Sequence, residues 1–184
     1  MTEPLTIELG PRDLLVVAGL PGAGKTTMLR AVHDLPVLDS DQVRARLRAQ
    51  LPARVPYRLY RPIVHAWHRL RVVAHAAGAI GPVIVHEPST RASTRALLAT
   101  VAALTGRRIR LLWLDVTPEA ALEGQRARGR LIRPRSFARH VHRASRFRHF
   151  LLAHHVPRGW HSAHVTTREA GMRLATPAVS IAGT

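Results

Sequence analysis

The chain has 184 residues, 46% of them hydrophobic, and no cysteine. That length suits one domain with a real core, and the missing cysteines exclude disulfides and thiolate metal sites. Its 28 basic residues against 11 acidic ones give a formal charge of +17, which draws polyanions such as nucleic acid, nucleotides or anionic lipid; a GC-rich coding sequence would produce the same excess of arginine. The start, MTEPLTIELGPRD, lacks the basic-then-apolar order of a signal peptide. No stretch reaches the roughly 18 apolar residues of a membrane span, so a cytoplasmic location is expected.

Residues 1–12 are expected to be an extension or an extra edge strand, and 13–184 a single domain. DLLVVAG (13–19) is a short apolar run ending in glycine and predicts a buried parallel strand. KTTMLRAVHDL has helical spacing, with Met28, Leu29, Val32 and Leu35 on one side. PVLDSD (36–41) predicts a second strand breaking into acids, and DQVRARLRAQL a helix with Ser40 or Asp41 as its cap. PARVPYRLYRP reads as a proline-interrupted connector before a helix over 63–79. GPVIVHE (81–87) is a third strand; the helix after it takes Ser89 or Thr90 as its cap and stops at Gly106. IRLLWLDV (109–116) is a fourth strand, and TPEAALEGQRARG a helix capped by Thr117 with Pro118 in its first turn. A basic loop, a long basic helix (137–156), a fifth strand (159–167) and a possible sixth in the tail complete the chain. Alternating strands and helices predict an α/β fold: an open parallel sheet of about five strands with helices on both faces.

GLPGAGKTT (19–27) carries the sharpest signal. Gly19, Gly24, Lys25 and Thr26 fit G-x-x-x-x-G-K-[ST], placed between a strand and a helix. Such a P-loop wraps backbone N–H groups around phosphates, so Gly19, Leu20, Pro21, Gly22, Ala23, Gly24, Lys25, Thr26 and Thr27 are the candidate nucleotide-binding residues. Lys25 is the chain's one lysine among 27 arginines. A compact ammonium fits inside the loop where a broad guanidinium fork does not. Lys25 reaches the β- and γ-phosphates and Thr26 offers its hydroxyl to Mg²⁺, so ATP and Mg²⁺ are the expected cofactors.

Asp39 and Asp41 end the second strand, where an open parallel sheet forms its binding crevice. Either can accept a proton from a hydroxyl, Asp41 with the better claim because Arg44 follows one turn later. Arg44, Arg91 and Arg95 are candidate contacts to an anionic substrate. Tyr57, Tyr60, His65, Trp67 and His68 show the helical spacing of core residues.

GLPGAGKTT, LDSDQVR, VIVHEPSTRASTR and LLWLDVTPEAALEGQRARGR together resemble the small P-loop kinases: polynucleotide 5′-hydroxyl kinases, zeta toxins, gluconate kinases and chloramphenicol phosphotransferases. The resemblance runs over roughly residues 13–170. It implies a P-loop NTPase fold in which Asp41 or Asp39 activates an acceptor hydroxyl. It also implies a basic helical lid (about 126–148) in which Arg126, Arg128 and Arg130 clamp phosphates, Arg126 and Arg130 being the catalytic candidates. The third strand of that group ends in a metal-supporting Asp; here His86 and Glu87 stand there, leaving Glu87 as the candidate Mg²⁺ ligand through water.

Gly124 to Arg168 contains no acidic residue, and Arg139, Arg143 and Arg146 with His142 form a basic helical face suited to a phosphate backbone. The expected acceptor is a polynucleotide, a nucleotide sugar or a small metabolite. A nucleotide-binding regulatory switch and a nucleic-acid-stimulated ATPase stand as alternatives; the N/T-K-x-D stretch of a GTPase is absent.

Overall fold

A computed structural model of the chain describes residues 5–30, 32, 35–129, 131–170 and 172–175. Five parallel strands make one sheet in the order β3 (Val37–Asp39), β4 (Val83–His86), β2 (Asp13–Gly19), β5 (Arg108–Leu114), β6 (Ser162–Thr166). The connecting helices are α1 (Lys25–Leu29), α2 (Ser40–Gln50), α3 (Tyr57–Gly78), α4 (Ala92–Leu104), α5 (Pro118–Ala127) and α6 (Pro134–Leu152). The expected α/β class and strand count hold. Strand β2 is central because all seven of its residues are buried. From it the chain steps two places outward to β3, fills in β4, then crosses to β5 on the other side. That reversal opens a crevice at the strands' carboxyl ends, where the P-loop begins.

Strand alternation assigns the two faces. Leu14, Val16, Val83, Val85, Ile109, Leu111 and Trp113 pack under Val72 of α3, Leu98 and Ala102 of α4, and Ala144, Phe147 and Leu151 of α6. Leu15, Val17, Ile84 and Leu112 face the other way, against Leu29 of α1 and a parallel pair made by β1 (Leu5–Glu8) and β7 (Met172–Ala175). The N-terminal strand and the tail strand therefore form a separate two-stranded sheet instead of extending the large one.

Several expected boundaries move, among them the long basic helix, which runs as α6 from Pro134 to Leu152. The second half of the stretch read as a proline-interrupted connector, 57–62, belongs to α3, which starts at Tyr57 and carries Pro62 inside it; 52–56 stays a connector. Pro62 lies six residues in and costs one backbone bond; Tyr60 and Val64 hold that turn by packing on Val43, with Leu47 and Leu51 of α2 beside them. Helix α1 is described over Lys25–Leu29, with the Arg30 N–H shared between the carbonyls of Thr26 and Thr27; residues 31, 33 and 34 of the stretch expected to continue it lie outside the described residues. The cap of α4 is Arg91, not Ser89 or Thr90. Ser89 sits buried at φ 50, and Thr90 Oγ1 lies 3.1 Å from His140 Nδ1. No helix among the described residues is long and apolar enough to cross a membrane.

The end of the sheet opposite the crevice is closed by charge. Asp13 has no solvent exposure and accepts from Arg108 Nε at 3.0 Å, Arg110 Nε at 2.7 Å and the Gly10 N–H at 2.9 Å. Arg107 donates to the carbonyls of Ala76, Ala79 and Gly81 at the end of α3, and Arg12 to those of Thr105 and Gly106 after α4. A guanidinium there answers both the unpaired carbonyls and the negative end of the helix. Replacing Asp13→Ala strands the mostly buried Arg110, so equilibrium unfolding should show a loss of about 3 kcal/mol.

Candidate active site

The P-loop leaves β2 at Gly19 and enters α1 at Lys25, with Gly22 at φ 91 and Gly24 at φ 100. Each carbonyl from Gly19 to Gly24 is bonded on the protein side. Lys25 Nζ donates to Gly19 O at 3.0 Å and Leu20 O at 2.8 Å. Gln125 Nε2 donates to Pro21 O at 3.0 Å. Arg168 donates to Gly22 O at 2.7 Å and to Ala23 O at 2.8 Å, and Met28 N–H to Gly24 O at 3.0 Å. With its carbonyls spent, and with the Gly19 and Ala23 N–H groups donating to Pro88 O and Leu20 O, the loop has its other N–H groups to offer an anion, at the positive end of the following turn.

Helix α5 braces the loop from outside by direct backbone contact. A Cβ on Gly22 would lie 2.0 Å from Ala121 O, and one on Gly124 would lie 2.2 Å from Gly22 O. Gln125, only 3% exposed, ties Pro21 to the Ile132 N–H beyond the helix, so the loop and the α5–α6 connector are linked through one amide. In an ordinary helix a Gly→Ala change stabilises by up to about 1 kcal/mol. Gly124→Ala should do the reverse here: a lower melting temperature and weaker nucleotide binding, read by thermal denaturation and calorimetry.

Lys25 is 4% exposed. Burial, with the positive charge of Arg128, pulls its pKa down to about 7 against the opposing pull of Asp39 and Glu87. Those four charges define the centre of the site. Asp39 is the N-cap of α2: its Oδ1 accepts the Asp41 N–H at 2.8 Å, and its Oδ2 lies 2.6 Å from His86 Nδ1. An ionised carboxylate only accepts, so His86 Nδ1 carries the proton of that bond. Burial would raise the Asp39 pKa; the hydrogen bond and charge of His86 together with the Asp41 amide outweigh it and hold it below the ordinary range. Asp41, the favoured acid, is exposed on the first turn of α2, while Asp39 is the one coupled to Lys25. The cap expected from Ser40 or Asp41 is thus Asp39 itself.

Glu87 follows β4, its Oε2 3.8 Å from His68 Nε2. Burial raises its pKa although Arg69 and Lys25 pull it down. His68, on the buried face of α3, is driven to a pKa of about 4 by burial and is neutral, and its two ring nitrogens find no hydrogen-bond partner among the described residues. No group of three or more His, Cys, Asp or Glu among the described residues makes a metal cage. Mg²⁺ does not need one, since it takes one or two protein oxygens and fills its shell with phosphate and water. Glu87, partly buried and disfavoured as an anion, and the Thr26 hydroxyl at the start of α1 are oxygen donors of the kind such a shell takes.

The other predicted residues separate. Arg128 lies at the end of α5, its guanidinium 3.5 Å from Thr26 Oγ1. Arg126 and Arg128 are both exposed, and of the two it is Arg128 that comes within 3.5 Å of the loop's Thr26; Arg130 lies outside the described residues. Arg44 lies 4.2 Å over the Tyr57 ring. Arg95 donates to Ser89 O at 2.7 Å and stacks 3.7 Å over Phe147, so it braces α4 against α6. Arg91 is exposed at the start of α4 and, with Arg61 and Arg69, places positive charge around the half-buried His65. His140 of α6 feels Arg143, Arg91, Lys25 and Arg61. Sequence reasoning missed Gln125 and Arg168 as loop braces. A lone amide among arginines in QRARGR was a faint signal for Gln125, and Arg168 had none.

The pKa of Lys25 generates a pH dependence. A bound polyphosphate restores the charged amine, so nucleotide binding takes up a proton above pH about 7. At pH values above the last ionisation of the nucleotide phosphates, ATP affinity should fall by up to about tenfold per pH unit. Calorimetry in buffers of different ionisation heat should register the proton uptake, and Lys25→Ala should abolish it.

The family described as an AAA domain matches residues 14–152, from β2 to the end of α6. Among solved structures, the chain is similar to the PezAT chromosomal toxin–antitoxin system of Streptococcus pneumoniae, at 14% identity over 93% of this chain and 71% of that one, with a TM-score of 0.62. It is similar to the tunicamycin resistance protein of Deinococcus radiodurans at 17% identity over 88% of each chain, TM-score 0.54. Shikimate kinase from Acinetobacter baumannii aligns at 20% identity over 87% of this chain and 86% of that one, TM-score 0.52. Identities this low speak for the fold alone. No curated protein matches the sequence significantly.

Proposed function

The chain belongs to the AAA domain family and has the fold of small P-loop kinases; from that footing we propose that it transfers the γ-phosphoryl group of ATP to a hydroxyl acceptor. The observation that carries this reading is the set of charges around the loop: Lys25 inside it, Asp39 and Glu87 across the crevice, and Arg128 over Thr26.

The loop N–H groups and Lys25 hold the β- and γ-phosphates. Thr26 and Glu87 would hold Mg²⁺, which, when bound, neutralises phosphate charge. Asp39, kept ionised by His86, accepts the proton of the acceptor hydroxyl as its oxygen forms the new bond to phosphorus and ADP leaves. Among the described residues each Asp39 oxygen has one partner, which leaves a lone pair for the hydroxyl. Arg128 neutralises charge on the transferring group from the connector side. In a loose transition state most of the catalysis is this positioning and charge neutralisation.

Arg61 and Arg91 place positive charge around the half-buried His65, about one turn of α3 from His68, which lies 3.8 Å from Glu87. They favour an acceptor bearing a phosphate or carboxylate, as a polynucleotide or nucleotide sugar does. A polynucleotide has further support in α6, where Arg135, Arg139, His142, Arg146 and His149 are exposed at alternating three- and four-residue spacing.

With γ-labelled ATP and Mg²⁺, label should move to 5′-hydroxyl oligonucleotides or to a member of a pool of nucleotide sugars and hydroxylated metabolites. Lys25→Arg and Asp39→Asn should each lower the transfer rate by about 10²–10³-fold, and Asp41→Asn by much less. Tight ATP binding with transfer to no acceptor would overturn the reading in favour of a regulatory switch, and hydrolysis stimulated by nucleic acid without transfer would favour an ATPase.

A further inference from the structure

Helix α3 has two apolar faces. Tyr60, Val64, His68, Val72 and Ala76 are buried against the protein. Leu59, Ile63, Ala66, Leu70, Val73 and Ala77 lie on the opposite side, and all six are exposed. Leu59 is 64% exposed, Ile63 55% and Leu70 67%. Their spacing runs four, three, four, three, four, which is the a/d pattern of a coiled coil sustained along nearly the whole helix. Single exposed apolar side chains are ordinary; a continuous seam in heptad register is a contact surface.

The charge around the seam narrows the occupant. Helix α3 carries Arg58, Arg61, Arg69 and Arg71 and no acidic residue. At 100° per residue, Arg58 and Arg69 flank the seam on one side and Trp67 on the other. We propose that this face docks an acidic amphipathic helix of another protein, its apolar stripe on the seam and its flanking carboxylates on Arg58 and Arg69. A second copy of this chain fits poorly. It brings +17 of its own, and its helices supply few acids, Asp41 on α2 and Glu119 and Glu123 on α5. A lipid surface fits less well than a helix, because the stripe is the narrow a/d seam with small residues at Ala66 and Ala77, whereas interfacial helices bury a broad apolar face. This inference does not depend on the reaction proposed above.

The probe is a four-heptad peptide with Leu and Ile at its seam and Glu at the flanking positions, titrated into the full chain and followed by fluorescence anisotropy. A peptide with Lys in place of Glu and vesicles of phosphatidylcholine with phosphatidylglycerol run alongside. The acidic peptide should bind in the micromolar range. The double variant Ile63→Ser/Leu70→Ser, which changes no charge and no buried residue, should weaken it by at least about tenfold while melting temperature stays put. Equal binding by the double variant would reduce the effect to general charge attraction and overturn the proposal. So would preference for the Lys peptide, vesicle binding that the double variant loses, or a dimer of the free chain that the double variant dissolves.

Discussion

The site depends on one backbone requirement: a loop that presents its N–H groups to an anion must find donors for its own carbonyls elsewhere. From Gly19 to Gly24 those donors are Lys25, Gln125, Arg168 and the first turn of α1. Two of these, Gln125 and Arg168, come from distant parts of the chain, so the loop is shaped only when α5 and the segment after β6 are in place. Because the Pro21 carbonyl and the Ile132 amide share Gln125, the phosphate cradle and the connector that carries Arg128 are one mechanical unit. That link is a physical route by which an anion in the loop would be felt in the connector.

The arginines divide by what their geometry allows. A planar fork with several donors is suited to bridging carbonyls, and Arg107, Arg12 and Arg168 do this at helix ends and around the loop. Arg108 and Arg110 converge on Asp13, and Arg95 lies on an aromatic ring. A large share of the basic residues is therefore structural, and the formal charge overstates what is offered to a ligand. The single lysine stands where a fork would not fit: its ammonium sits between two carbonyls at about the depth of the loop itself, 3.0 and 2.8 Å away.

His86, the last residue of β4, is recruited to Asp39, and Glu87, the next residue, brings a second carboxylate to the same end of the sheet. The two acids differ in tendency, one held ionised by a histidine and the other disfavoured as an anion by burial.

The fold and the cradle were legible because they rest on local patterns. Apolar runs punctuated by glycine and proline place β2, β4 and β5 within two residues, and G-x-x-x-x-G-K-T names its own chemistry. By itself the sequence determined the strand–helix alternation, the P-loop and the pool of acids and arginines from which the site is drawn. What it left open was selection within that pool. Asp39 and Asp41 are two residues apart, yet one caps a helix inward and the other faces solvent. Arg126 and Arg128 are both exposed, yet a helix turns 100° per residue and only the docking of α5 decides which of them meets the loop. The run of α3 through Pro62 was hidden because proline punctuation is a local signal, while the packing of Tyr60 and Val64 on α2 that overrides it is not. Tertiary structure alone decided these choices, because each turns on a partner far away in the chain.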